Sequence, residues 1–193
     1  MIEVRRAADR TVTYGDGITT RHGFSSGAHY DPENVSFGRL ITHDLHVLAP
    51  GAGFDAHRHR GVEIVSWVLS GTLVHNGESA VRHGTVQHVS AGDGIEHSER
   101  NGGPDELRFV QMSLLGEPTA PAYRTGAVDV PGASFRVVPG PTRLAAAPFV
   151  HAYVATGTAI LNGVDLGAGD EARITDESVD VEVDGELLVW DLR

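Results

Sequence analysis

His57 and His59 stand one residue apart within the segment that runs from Gly51 to Glu63. Alternate residues of an extended strand point the same way, so both imidazoles leave one face of such a strand. That is what one metal ion needs from two neighbouring ligands. His97 and Glu99 repeat the spacing further along the chain. Two such pairs on facing strands make a site of three histidines and one carboxylate. This donor set suits Fe, Mn, Co, Ni, Cu or Zn, and with no cysteine in the chain no thiolate narrows the choice. An octahedral ion held by four protein ligands keeps two positions for water, dioxygen or substrate, the arrangement that catalysis needs.

Six of the eleven histidines lie between His57 and His97. A lone strand histidine is more often a surface or satisfied core residue than a ligand, and His22, His29, His43, His46, His83 and His151 are read in that way. Pairing sets His57/His59 and His97/Glu99 apart. Strand parity also puts Glu63 on the face of His57 and His59, so parity alone leaves either Glu63 or Glu99 as the fourth ligand.

The elements that must position these residues read as short strands punctuated by turns. Apolar runs at 40–48, 63–69, 72–75, 86–89 and 107–115 end at Gly, Pro or Asn signals, and Asn76-Gly77 is a tight-turn dipeptide between two of them. No window has a helical period with caps, although residues 144–147 have room for a helical turn. The stretch from Trp67 to Gly77 matches Tyr153 to Gly163 at a constant offset, with Gly71/Gly157 and Asn76/Asn162 aligned. After a gap, Ala91-Gly-Asp93 matches Ala168-Gly-Asp170. The chain thus reads as two copies of one β module: residues 1–115, a Pro- and Gly-rich connection at 116–141, and residues 142–193. In this alignment Arg143 and Ala145 fall at the positions of His57 and His59, and Ile174 and Asp176 at those of His97 and Glu99. The second copy keeps the pattern and lacks the ligands.

The net charge is −11, from 15 basic and 26 acidic residues. Such a chain repels phosphate backbones, and it has no Lys/Arg run to form a local basic patch, so direct nucleic-acid binding is disfavoured. Absence of cysteine excludes disulfides, zinc–thiolate sites and cysteine nucleophiles. The first residues lack the apolar run of a signal peptide, and no stretch of about twenty apolar residues is present. A soluble cytoplasmic protein is expected.

The spacing resembles the cupin family. Gly51, His57, His59 and Glu63 meet its first motif, and Gly94, His97 and Asn101 meet its second. Within the cupins the chain is most similar to the pirin family and its bacterial quercetin dioxygenase-like members, through His57-Arg-His59-Arg-Gly-Val-Glu63 and Ala91-Gly-Asp-Gly-Ile-Glu-His97-Ser-Glu99. Phe24-Ser25 and Tyr30-Asp-Pro32 also look like that family. The resemblance implies an all-β bicupin, two antiparallel jelly-roll-type barrels packed together, with the metal in the amino-terminal one and Glu186–Trp190 completing the other. It implies His57, His59, His97 and Glu99 as ligands, Glu63 orienting an imidazole, and one divalent metal, Fe(II) first among the candidates. Arg58, where relatives usually carry Pro, and a hairpin after His75 that looks shorter than in close relatives are the departures.

The implied activity is opening of a flavonol such as quercetin, or a related enol, by O2 with loss of carbon monoxide. The substrate hydroxyl would bind the metal as an oxyanion, and Glu99 would accept its proton as the catalytic base. His75 and Gln111 are candidate pocket residues, His75 having the competing reading of a solvent-exposed hairpin histidine. The alternative function is a non-catalytic, iron-binding, redox-responsive partner of another protein. A vestigial cupin with a structural metal is the third reading, and fold alone does not choose among them. A monomer is expected, because two modules cover each other's apolar faces.

Overall fold

The computed structural model describes every residue from Met1 to Arg193. Two compact units emerge, one formed by residues 11–129 and the other by residues 1–10 with 130–193. The boundaries differ from those read in the sequence at 115 and 142. Strand β1 (Ile2–Arg5) pairs with β17 (Glu171–Ile174), which draws the first residues into the carboxy-terminal unit. Within the supposed connection, β12 (Ala122–Thr125) pairs with β9 (Val86–Ser90) and extends a sheet of the amino-terminal unit.

The unit of residues 11–129 contains β2 (Thr11–Gly15), β3 (Ile18–His22), β4 (Leu40–Leu48), β5 (Gly53–His59), β6 (Val62–Ser70), β7 (Thr72–His75), β8 (Ser79–Arg82), β9, β10 (Ile95–Asn101), β11 (Leu107–Leu115) and β12. They form a seven-stranded sheet in the order β12-β9-β6-β11-β4-β3-β2 and a four-stranded sheet in the order β5-β10-β7-β8. Every pairing is antiparallel. Leu48, Val68, Leu107 and Phe109 from the larger sheet pack with Leu73 and Val81 from the smaller one. Each such side chain contributes roughly 1.5–3 kcal/mol on burial. This contact holds the two sheets face to face.

The other unit is one sheet, β1-β17-β15-β18-β13, with β13 (Ala133–Val138), β15 (Phe149–Leu161) and β18 (Val179–Leu192) on its path. Strand β14 (Thr142–Leu144) pairs with β18, and β16 (Val164–Gly167) with β15. The 144–147 region holds the end of β14 and irregular chain, not a helical turn, and the one helical element is a 3₁₀ turn at Ala7–Asp9. No helix is long and apolar enough to cross a membrane.

The repeat is visible in the hairpins. Asn76 and Gly77 have φ of 51° and 71°, and Asn162 and Gly163 have φ of 46° and 84°. Positive φ at both central residues is the tight turn whose twist matches its flanking strands. Beyond the hairpins the correspondence shifts. Gly84 N–H bonds Val68 O, and Gly169 N–H bonds Val154 O, so Gly169 answers to Gly84, ahead of β9, and not to Gly92. The Ala-Gly-Asp match therefore joins loops from opposite ends of one strand, and ligand counterparts taken from it fall in the wrong place.

Candidate metal centre

Strand β10 lies between β5 and β7 and gathers donors from both. Its His97 pairs directly with His57, and its Glu99 pairs directly with His75. A register shift between His97 and Glu99 on the β5 side, a β-bulge, lets one residue of β10 face more chain on β5. Gly53 permits this approach, since a Cβ there would stand 2.3 Å from the Glu99 carbonyl. The Asn76 turn fixes the other side: its amide bonds Ser98 O at 3.0 Å and its Oδ1 accepts from Ser98 N–H at 2.8 Å. The residue between the two β10 donors is thereby clamped.

One donor atom each of His57, His59 and His97 lie within 4.8 Å of one another, and so do donor atoms of His75, His97 and Glu99. His97 belongs to both groups. Ring centroids are 4.6 Å apart for His57–His97, 5.0 Å for His59–His97 and 5.1 Å for His75–His97. The structure brings the four residues expected as ligands to one face of one small sheet, with His75 as a fifth. His75 is 5% exposed, so it is no solvent-facing hairpin residue.

The opposing wall comes from the larger sheet. Ser66 on β6 is in register with Gln87 on β9 and with Gln111 on β11, so these three share a face. Gln87 Nε2 donates to Glu99 Oε1 at 2.6 Å, and Gln111 Nε2 donates to Glu99 Oε2 at 2.8 Å and contacts Ser66 Oγ at 3.1 Å. Each carboxylate oxygen keeps lone-pair capacity after accepting one such bond. Tyr123 on β12 stacks on His75, with centroids 4.4 Å apart, and its hydroxyl reaches Gln87 Oε1 at 3.5 Å.

Glu63 takes another place. The chain turns at Arg60-Gly61 between β5 and β6, which belong to different sheets, so parity along β5 does not carry through the corner. The Glu63 carboxylate meets His88 Nε2 at 2.8 Å and Ser90 Oγ at 3.0 Å. It orients the imidazole of His88, not one of the cluster His57, His59 and His97. Of the histidines set aside in the sequence, His22 is held by Thr13 and Asp44, and His46 by Thr20 between Phe54 and Phe109. Asn101 of the cupin motif ties loops together through Leu48 O, Asp105 O and Gly103 N–H.

The electrostatics favour neutral imidazoles. Burial, then the charges of His57, His59 and His75, push His97 down to about 3. Burial lowers His59, with His57 adding to the effect, and burial alone lowers His75. Burial raises the Glu99 carboxyl, against the hydrogen bonds from Gln111 and Gln87. His57 Nδ1 lies 2.7 Å from Asp55 O, and a carbonyl only accepts, so that nitrogen carries the proton and Nε2 offers its lone pair.

Does the site fit a cation? His97 is 1% exposed, and neither of its ring nitrogens has a hydrogen-bond partner. A buried polar atom left unpaired costs about 1–3 kcal/mol. A divalent ion among neutral imidazoles and one carboxylate removes that cost, and the donor set fits it. On the outer side, His59 lines an open cavity of about 450 Å³ with Arg58, Arg60, Asp93, Gly94, Ile95 and Glu96. Arg58, in register with Glu96, also meets it at 3.0 Å and lies on the rim.

Register identifies the positions in the other unit that answer to these. From the aligned hairpins, Leu161 answers to His75 and Ala152 to Ser66. Cross-strand pairing then assigns Val181 to Glu99, Val179 to His97, Leu144 to His57, Ala172 to Gln87 and Val189 to Gln111. All seven belong to one apolar core. Arg143 and Ile174, the counterparts read from the sequence, are off these positions. The fold fills this space with aliphatic side chains when no polar site is built there. Gln87, Ser66 and Tyr123 escaped the sequence reading: polar residues within apolar runs were the signal for the first two, and Tyr123 sat in a stretch read as a linker.

Comparison with known proteins agrees with this geometry. The Pirin family profile matches residues 3–114. A Mycobacterium tuberculosis protein provisionally named quercetin 2,3-dioxygenase is 37% identical, the match covering 99% of this chain and 95% of its own length. The Escherichia coli K12 protein named quercetin 2,3-dioxygenase is 29% identical, over 100% of this chain and 99% of its own. The crystal structure of the Escherichia coli pirin YhhW in complex with nickel(II) superposes with a TM-score of 0.87 at 27% identity, covering 100% of this chain and 99% of that one. The all-β fold, the cluster of histidines around His97 and the profile match together make this chain a member of the pirin family.

Proposed function

We propose that this protein is a metal-dependent dioxygenase that opens a flavonol such as quercetin, or a related enol, with O2. His57, His59, His97 and Glu99 would hold one divalent transition metal, iron(II) first among the candidates. The observation that carries the reading is the buried, unpartnered His97 with other imidazoles and one carboxylate around it. The names of the Mycobacterium and Escherichia coli relatives support the flavonol, and the nickel complex of YhhW supports a divalent ion.

When bound, the ion supplies a Lewis acid that favours the ionised form of an enol hydroxyl and a place for O2. The remaining chemistry falls to the chain. His59 and His97, held below their ordinary pKa, keep neutral lone pairs at pH 7. Glu99 is the base of the cluster, and burial strengthens its hold on a proton. Its carboxylate accepts the proton of the substrate hydroxyl. Gln87 and Gln111 keep that carboxylate in place, one amide on each oxygen.

Metal-free protein reconstituted with iron(II) under anaerobic conditions should consume oxygen and bleach quercetin in step on aeration. His97→Ala and Glu99→Gln should each lower both rates by about hundredfold or more. Turnover that survives removal of the metal would sink this reading. So would a reconstituted protein that takes up oxygen with no enol.

A further inference from the structure

We propose that His75 is a substrate-binding residue of this centre, donating a hydrogen bond to the enol oxygen bound beside the ion. The inference rests on the dioxygenase reading and assigns a residue that the expected ligand set leaves out. His75 is the direct cross-strand partner of Glu99, so the two side chains leave the same face side by side. Its donor atom lies within 4.8 Å of those of His97 and Glu99. Its Nδ1 is buried with no hydrogen-bond partner.

The surroundings argue against a packing role. Leu161, fully buried, holds the equivalent position in the other unit, so the fold itself accepts an aliphatic side chain there. A histidine in its place keeps an unpaired polar atom that leucine would not have, and some partner in the working protein must satisfy it. Glu99 does not depend on His75 for its placement, since Gln87 and Gln111 already donate one amide to each of its oxygens. The ring is held flat against Tyr123, at an interplanar angle of 26°, so its edge is fixed relative to His97. An imidazole in either neutral tautomer carries one N–H, and an enol oxygen held at the ion is an acceptor at the right side of the cluster. The step involves no bond making beyond this hydrogen bond. It orients the substrate at the carboxylate that takes its proton.

The test uses cobalt(II)-loaded full-length protein and 3-hydroxyflavone, an enol with one hydroxyl, titrated without oxygen. Wild type should bind the probe with a change in the cobalt absorption bands. His75→Phe keeps a ring to stack on Tyr123 and removes both nitrogens. It should retain one cobalt per chain with unaltered resting bands and bind the probe about tenfold more weakly. His75→Gln, which restores an N–H donor, should recover most of the affinity. Binding by His75→Phe within about twofold of wild type would overturn the proposal, as would a wild-type centre blind to the probe. Loss of cobalt from His75→Phe would overturn it too, because His75 would then be a ligand of the ion itself. Since no oxygen is present, probe binding without quercetin turnover in the iron protein would refute the dioxygenase reading alone.

Discussion

Neutral buried imidazoles make this chain sensitive to acid. His46, enclosed between Phe54 and Phe109, is pushed down to about 4 by burial, against the pull of Asp44. A histidine in the unfolded chain takes up its proton near 6.5, so the unfolded state binds more protons between these two values. The stability that depends on neutral His46 is present above about 6.5 and is lost as pH falls towards 4. His46 alone should remove roughly 3 kcal/mol across that window. His97, pushed down to about 3 by burial, adds to the loss in metal-free protein. Glu99 has the opposite sign: its raised pKa makes its ionised form costly, and protonation relieves the cost. Urea midpoints of metal-free protein at pH 7.5, 6 and 5 should fall monotonically, and a rise would contradict this assignment. The amides on Glu99 give a second test. Gln87→Leu and Gln111→Leu should each weaken metal binding by about 10–100-fold in a chelator competition, while Ser66→Ala, one bond further away, should change it little. Of these residues, the pairs His57/His59 and His97/Glu99 were read from spacing, and Gln111, like His75, from a strand position near the motifs. Gln87 was not, because its function comes from register with Ser66 on a strand that reads as plain core.

Strands, and the corners between them, decide which spacings have meaning. The period of two predicted that His57 and His59 share a face, and that His97 and Glu99 share one, because each pair lies within a single strand. The same rule misplaced Glu63, since Arg60-Gly61 takes the chain from one sheet to another. Offsets behaved likewise: they held as far as Asn76-Gly77 and Asn162-Gly163 and slipped directly after them, where three residues separate His75 from its partner Ser79 and two separate Leu161 from Val164. The β-bulge beside His97 was invisible in sequence, yet Gly53 is its signature. Gly53→Ala would place a methyl 2.3 Å from the Glu99 carbonyl, so β5 must move away from β10. The expected cost is about 1–3 kcal/mol, with weaker metal binding because His57 moves with its strand. Thermal unfolding with and without metal measures both. Unchanged stability would mean that the two strands are not held as closely as described.

At the scale of the chain, a repeated module carries one polar pocket and one aliphatic copy of it. The number of modules and the all-β class were readable from the repeat and the turn signals. The exchange of segments was not: the first ten residues join the carboxy-terminal unit, and residues 116–129 stay with the amino-terminal one. Short strands such as β1 and β12 lie below what periodicity resolves, and their partners are far away in sequence. The expected consequence of the asymmetry is a single metal site, built around His97 and replaced in the other unit by Leu144, Leu161, Val179 and Val181. Native mass spectrometry of the full chain, titrated with cobalt(II) or iron(II) without oxygen, tests this most directly. Wild type should hold one ion per chain, and His97→Ala and a His57→Ala, Glu99→Gln double variant should hold none. Two ions per chain, or one ion that persists in both variants, would contradict a single site built around His97.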